Sequence, residues 1–115
     1  ANNYADEAER LAKDCKDEKR KAELLEIARI CRKVPAKPAE TFREAMQSFW
    51  FTHVIMFIEL NGRGISPGRF DQYMYRPYIA EKLAGKITDE EVLEYLELMR
   101  IKSPSPTWAA AFIRT

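Results

Sequence analysis

The chain has 115 residues, 46% of them hydrophobic and 32% charged, with 19 basic and 18 acidic side chains. That balance describes one packed domain rather than a disordered segment. The lack of a basic excess argues against a nucleic-acid or membrane-surface role, and four glycines among long helical patterns argue against an all-β fold.

The first expected helix, residues 4 to 16, carries Tyr4, Ala8, Leu11, Ala12 and Cys15 at helical spacing, a thin stripe suited to the surface. Asp17 is placed to cap a second helix from Glu18, because its carboxylate can accept from the first orphan N–H groups. Ala22, Leu24, Leu25, Ile27, Ala28, Ile30 and Cys31 form that helix's apolar face. It should fail near Lys33, since Pro35 disfavours helical geometry at Val34. The segment VPAKPAE then reads as a short extended linker.

Thr41 and Glu44 form a capping box, which predicts a third helix running to Asn61, with Gly62 beyond it able to adopt positive φ. Phe49, Trp50, Phe51, Val54, Ile55, Met56, Phe57, Ile58 and Leu60 cover every direction around this helix. A helix apolar all round is made for burial on all sides, more than the rest of a 115-residue chain supplies. A larger body or a homo-oligomer formed through Phe49, Trp50, Phe51 and Phe57 would supply it. After the loop RGISPG, where Pro67 is suited to opening a helix, a fourth helix carries Pro77 as an expected kink and ends at Gly85. Thr88 and Glu91 make a second capping box, opening a fifth helix from about Asp89 to Lys102. The tail TWAAAFIRT reads as a short helix or strand. The fold class is all-α: about five helices around a central, fully apolar one.

Cys15 and Cys31 sit in no CxxC pair and beside no histidine, so both read as reduced thiols of a cytoplasmic protein. The start ANNYADEAERL lacks the basic and apolar regions of a signal peptide. No apolar run reaches the ~18 residues of a membrane span. His53, the single histidine, cannot form a metal site alone and reads as a core residue. Glu59 reads as half of a buried ion pair with an arginine elsewhere. Arg63 and Arg69 suit either bidentate binding of a substrate carboxylate or, more simply, ties to carboxylates such as Asp71. Tyr73, Tyr75 and Tyr78 read as packing residues, and Ser66 has no nearby base. The residues alone make no complete active site.

RKAELLEIARICRKVPAKPAETFREAMQSFWFTHVIMFIELNGRGISPGRFDQYMY, followed by GKITDEE, closely resembles a segment of glycyl radical enzymes. The likeness is to the pyruvate formate-lyase-like group with glycerol and diol dehydratases and choline trimethylamine-lyase. It runs from about Ala8 to Lys102, so residues 1–102 are expected to be a helical fragment internal to that domain, with 103–115 a tail outside the match. The resemblance implies a barrel of ten strands in two five-stranded halves wrapped by helices, in a far larger enzyme. It also implies a partner activase using S-adenosylmethionine and an iron–sulfur cluster. The activase installs a radical on a glycine; the radical passes to a cysteine, whose thiyl abstracts hydrogen from substrate. Neither the G-C-V-E motif of the cysteine nor the R-V-x-G-[YF] motif of the glycine occurs here. The expectation is therefore no catalytic residue and no cofactor in this chain. Where dehydratase-like members place a His-Ser pair against substrate hydroxyls, this chain has Arg63 and Gly64, an exchange that suits an anionic substrate.

Overall fold

The computed structural model describes residues 1–60 and 66–102. Five helices run through them in order: α1 (Asn2–Asp14), α2 (Glu18–Lys33), α3 (Phe42–Glu59), α4 (Phe70–Leu83) and α5 (Asp89–Lys102). No strand occurs among the described residues. α3 ends at Glu59 with Leu60 as its C-cap, two residues short of the expected Asn61; the turn expected at Gly62 and the form of the tail from residue 103 lie outside the described residues.

α1 and α2 make an antiparallel hairpin. Its seam is built from Ala5, Ala8 and Ala12 on α1 and from Leu24, Ala28 and Cys31 on α2, all buried. Small side chains let the two backbones approach closely, while Tyr4 and Leu11, expected in the stripe, face solvent. Ala8 and Ala12 are buried as the stripe implies, and Ala5 rather than Tyr4 or Leu11 completes it, because alanines fill the narrow seam. On the rim, Arg32 of α2 reaches back to Asp6 and Glu9 of α1. Asp17 caps α2 as its position implies, accepting from the Lys19 N–H at 3.0 Å.

The segment after α2 is a turn, not an extended linker. Lys37 N–H donates to the Lys33 carbonyl at 2.8 Å, the Val34–Pro35 peptide is cis, and Val34 is fully buried.

α3 meets two separate clusters. Phe51 joins Ala5, Ala8, Ala28 and Cys31 on the hairpin, its ring 5.7 Å from that of Tyr4. Phe42 and Met46 join Met74 of α4 and Met99 of α5, with Phe49, Trp50, Phe70, Tyr78, Tyr95 and Leu96 packed around them. Three of the four rings expected on a self-association face are thus taken up inside the chain: Phe51 is buried, and Phe49 and Trp50 are half-buried. Burial all round is not found in these residues either. The last two turns of α3 stand open, with Ile55, Met56, Ile58 and Leu60 exposed.

α4 begins at Phe70, three residues later than a Pro67 start would give, with Arg69 as its N-cap, and it continues through Pro77. Its end is a Schellman motif. Gly85, at φ 64°, donates to the Lys82 carbonyl, and Lys86 donates to that of Glu81. The second capping box is fully reciprocal: Glu91 N–H donates to Thr88 Oγ1 at 3.2 Å and Thr88 N–H to the Glu91 carboxylate at 2.8 Å.

Candidate functional site

Arg63 and Gly64, the residues singled out as substrate contacts, lie outside the described residues. What is described are the two ends between which they run. On one side is α3; on the other, Ser66 to Arg69 lead into α4. This return is tied down at two points. Tyr73 Oη donates to the Pro67 carbonyl at 2.8 Å, and Gly68 N–H donates to Ser66 Oγ at 3.2 Å. The Tyr73 ring packs edge-on against Phe70 at 5.5 Å and beside Phe49 at 6.1 Å, so α3 and α4 share one aromatic cluster below the return. Burial pushes the Tyr73 phenol up to about 12, further favouring the protonated form that donates to Pro67. Arg69 itself is exposed at the head of α4.

His53 extends the same cluster. Its ring stacks on Phe49 at 5.8 Å and lies 6.3 Å from Trp50, and the side chain is buried. Burial penalises the imidazolium, so the ring is held below its ordinary 6.5. The core placement read from the sequence holds. Glu59 departs from expectation: it is exposed and enters no ion pair among the described residues.

The buried carboxylate paired with cations belongs instead to Glu44, only 1% exposed at the first turn of α3. It accepts from Lys33 Nζ at 2.8 Å, from Arg29 Nη2 at 3.1 Å and from the Glu40 N–H at 2.9 Å. Burial opposes its ionisation, but those donors outweigh it and hold the carboxyl down to about 2. The Thr41–Glu44 capping box is therefore half-formed. Thr41 Oγ1 accepts from Glu44 N–H at 3.1 Å, while the Glu44 carboxylate serves Glu40 and α2 rather than Thr41. A second carboxylate completes the helix start, Glu81 of α4 accepting from Phe42 N–H at 2.6 Å. The sequence did hold a signal for this cluster: Arg29 and Lys33, four apart, face Glu40 and Glu44, four apart, across a short turn. From the sequence alone, Glu44 reads only as the second half of the capping box with Thr41.

A third polar group lies at the α4–α5 junction, where Lys82 contacts Asp89 and Tyr78, and Tyr78 Oη donates to Asp89 at 2.9 Å. Lys82 and Asp89 are open to water and Tyr78 is half-buried, and their chemistry is that of a surface tie. Among the described residues no three His, Cys, Asp or Glu side chains gather as a metal site. None of the described helices is long and apolar enough to cross a membrane.

The model of the pyruvate formate lyase-like family matches residues 1–111. The chain belongs to that family. This confirms the glycyl radical enzyme resemblance carried by the residues around α2 to α4. Isethionate sulfite-lyase of Bilophila wadsworthia is 47% identical over 100 residues, 86% of this chain and 12% of that protein. Indoleacetate decarboxylase of Tractidigestivibacter scatoligenes is 44% identical over 103 residues, covering 89% of this chain and 12% of its own length. A solved structure concerned with 1,2-propanediol dehydration in Roseburia inulinivorans superposes with a TM-score of 0.82 at 48% identity, covering 85% of this chain and 12% of that one. The glycerol-bound B12-independent glycerol dehydratase of Clostridium butyricum gives 0.76 at 52% identity, covering 82% of this chain and 12% of its own. The chain spans about 12% of the length of the curated relatives it matches. At these identities the helical arrangement described here is the arrangement such family members adopt over the matched residues.

Proposed function

We propose that this chain is a segment of a glycyl radical enzyme of the lyase or dehydratase type, with no catalytic capacity of its own. The observation that carries the reading is the family match over 1–111 in a chain spanning 12% of its relatives, with neither radical-bearing motif in its sequence. The whole enzyme would break a C–O, C–N or C–C bond by radical chemistry, or act as a formate acetyltransferase does. Its glycyl radical would be installed by an S-adenosylmethionine and iron–sulfur activase in the cytoplasm. Residues 1–102 would lie as helices outside and across a ten-stranded barrel, with the stretch from Asn61 to Gly64 forming one wall of the substrate pocket.

The substrate in this reading carries an anionic group, with Arg63 donating to it bidentately and Gly64 leaving room beside it. Relatives named for isethionate and indoleacetate, both anions, support that charge. In the full-length enzyme carrying this segment, Arg63→Ala should raise KM for an anionic substrate about tenfold to a hundredfold, the loss of one charge-assisted contact. An unchanged KM refutes the role. Anaerobic incubation of the present chain with activase and S-adenosylmethionine should give no glycyl radical doublet by electron paramagnetic resonance. A doublet on this chain overturns the reading.

A second reading is a stand-alone helical module that self-associates or binds an activating enzyme, favoured by the open apolar turns of α3. Size exclusion with light scattering separates the two, since a well-ordered monomer at micromolar concentration excludes self-association.

A further inference from the structure

α3 holds two bodies on opposite faces. Glu44 and Phe51 are seven residues apart, so at about 100° per residue they share one face, about 10 Å apart along the axis. The hairpin seats on that face. Phe51 packs among Ala5, Ala8, Ala28 and Cys31, and Glu44 takes Lys33 and Arg29 of α2 at 2.8 and 3.1 Å. Phe42, Met46 and Phe49 follow one another along the other face, where they pack with Met74 of α4 and Met99 of α5. Glu81 of α4 also accepts from the Phe42 N–H at 2.6 Å, so the start of α3 is held from that side as well. No residue belongs to both clusters. α1 and α2 pack chiefly on each other, and α2 meets α3 over a narrow front. The chain crosses between the two bodies through residues 34 to 41, with the Glu44 ion pairs beside the crossing. Lifting the hairpin off α3 costs the Phe51 contact and those ion pairs, and leaves the aromatic core on the far face whole. The freed hairpin keeps only its alanine seam, too little apolar surface to hold two helices together in water.

We infer that the α1–α2 hairpin is an arm that leaves α3 as one cooperative unit, hinged at residues 34 to 41 and latched by Glu44, while α3, α4 and α5 keep their shared core. The arm and its latch belong to this chain's own packing and stand whether or not it is a segment of a glycyl radical enzyme.

The test is thiol accessibility. Cys31 is buried and Cys15 half-buried, so the chain carries its own probe and reference. The chain is treated with a maleimide at urea concentrations below the unfolding transition, and modification of each thiol is read by mass spectrometry. Cys31 should label more slowly than Cys15, yet at least about tenfold faster than global unfolding allows and with a weaker dependence on urea. Glu44→Gln should speed Cys31 by about a hundredfold, because the carboxylate's contacts to α2 exist only while the arm is seated. Met74→Ala weakens the core on the far face, so it should speed amide exchange in α4 and α5 but leave Cys31 labelling within about twofold of native. Cys31 labelling that matches global unfolding in rate and urea dependence overturns the separate arm, and that comparison needs no variant. Equal acceleration by the two substitutions overturns it too. A Glu44→Gln chain that labels at the native rate overturns the latch. Cys31 labelling as fast as Cys15 in the native chain means that the arm is never seated, and overturns both.

Discussion

Glu44→Gln removes one charge and keeps the shape of the side chain, so it imitates the protonated carboxyl within the same cage of donors. Holding the native carboxyl at about 2 against an ordinary 4.5 corresponds to about 3 kcal/mol of folding stability at neutral pH. The variant should lose about that amount. Lys33 and Arg29 both reach solvent, so stripping away their counter-charge leaves no fully buried cation, and the larger cost of breaking a wholly buried pair is not incurred. The carboxyl's folded value lies below its unfolded one, so the contribution is complete above about pH 4.5 and fades as pH falls toward 2. The gap between native and variant should thus shrink from about 3 kcal/mol at pH 7 to about 2 at pH 3.5. Urea unfolding followed by far-ultraviolet dichroism at the two pH values measures it, and thermal melts at pH 7 should differ by about 10 °C. A variant within about 0.5 kcal/mol of the native chain at pH 7 refutes the argument. So does a gap that stays constant across the two pH values.

His53 should titrate below 6.5 in a nuclear magnetic resonance experiment. Because the unfolded chain takes up that proton first, stability should begin to fall as pH drops below about 6.5, well above the window set by Glu44; a normal titration would show that the ring is hydrated. Gly85→Ala places a side chain at φ 64° with nothing within 4 Å of its Cβ, so the cost is backbone strain alone, about 1 kcal/mol, and Gly85→Asn should cost less. Ala8→Leu forces the bulk of a leucine side chain into a buried alanine seam and should destabilise by about 1–3 kcal/mol in urea melts, whereas Leu11→Ala, on the exposed side of α1, should change little.

The sequence by itself determined what is local. Asp17 and the two T-x-x-E boxes set where α2, α3 and α5 begin, because a cap is a contact between residues two or three apart. Gly85 set where α4 ends, because only its missing Cβ makes φ 64° cheap. The family could be read from the run between Arg20 and Tyr75, and the comparisons confirm it. Tertiary structure decided everything that depends on which neighbour comes near. Residues 34 to 37 close into a turn once Val34 is drawn into the core. Glu44, read as a cap, becomes the ionic tie between α2 and α3 because the turn brings Arg29 and Lys33 to it. Glu59, read as buried, is left in water because none of the described helices reaches the end of α3. An apolar residue records that burial is favourable, but not which surface will do the burying. Among the described residues, Phe51 found the hairpin and Ile58 stays exposed.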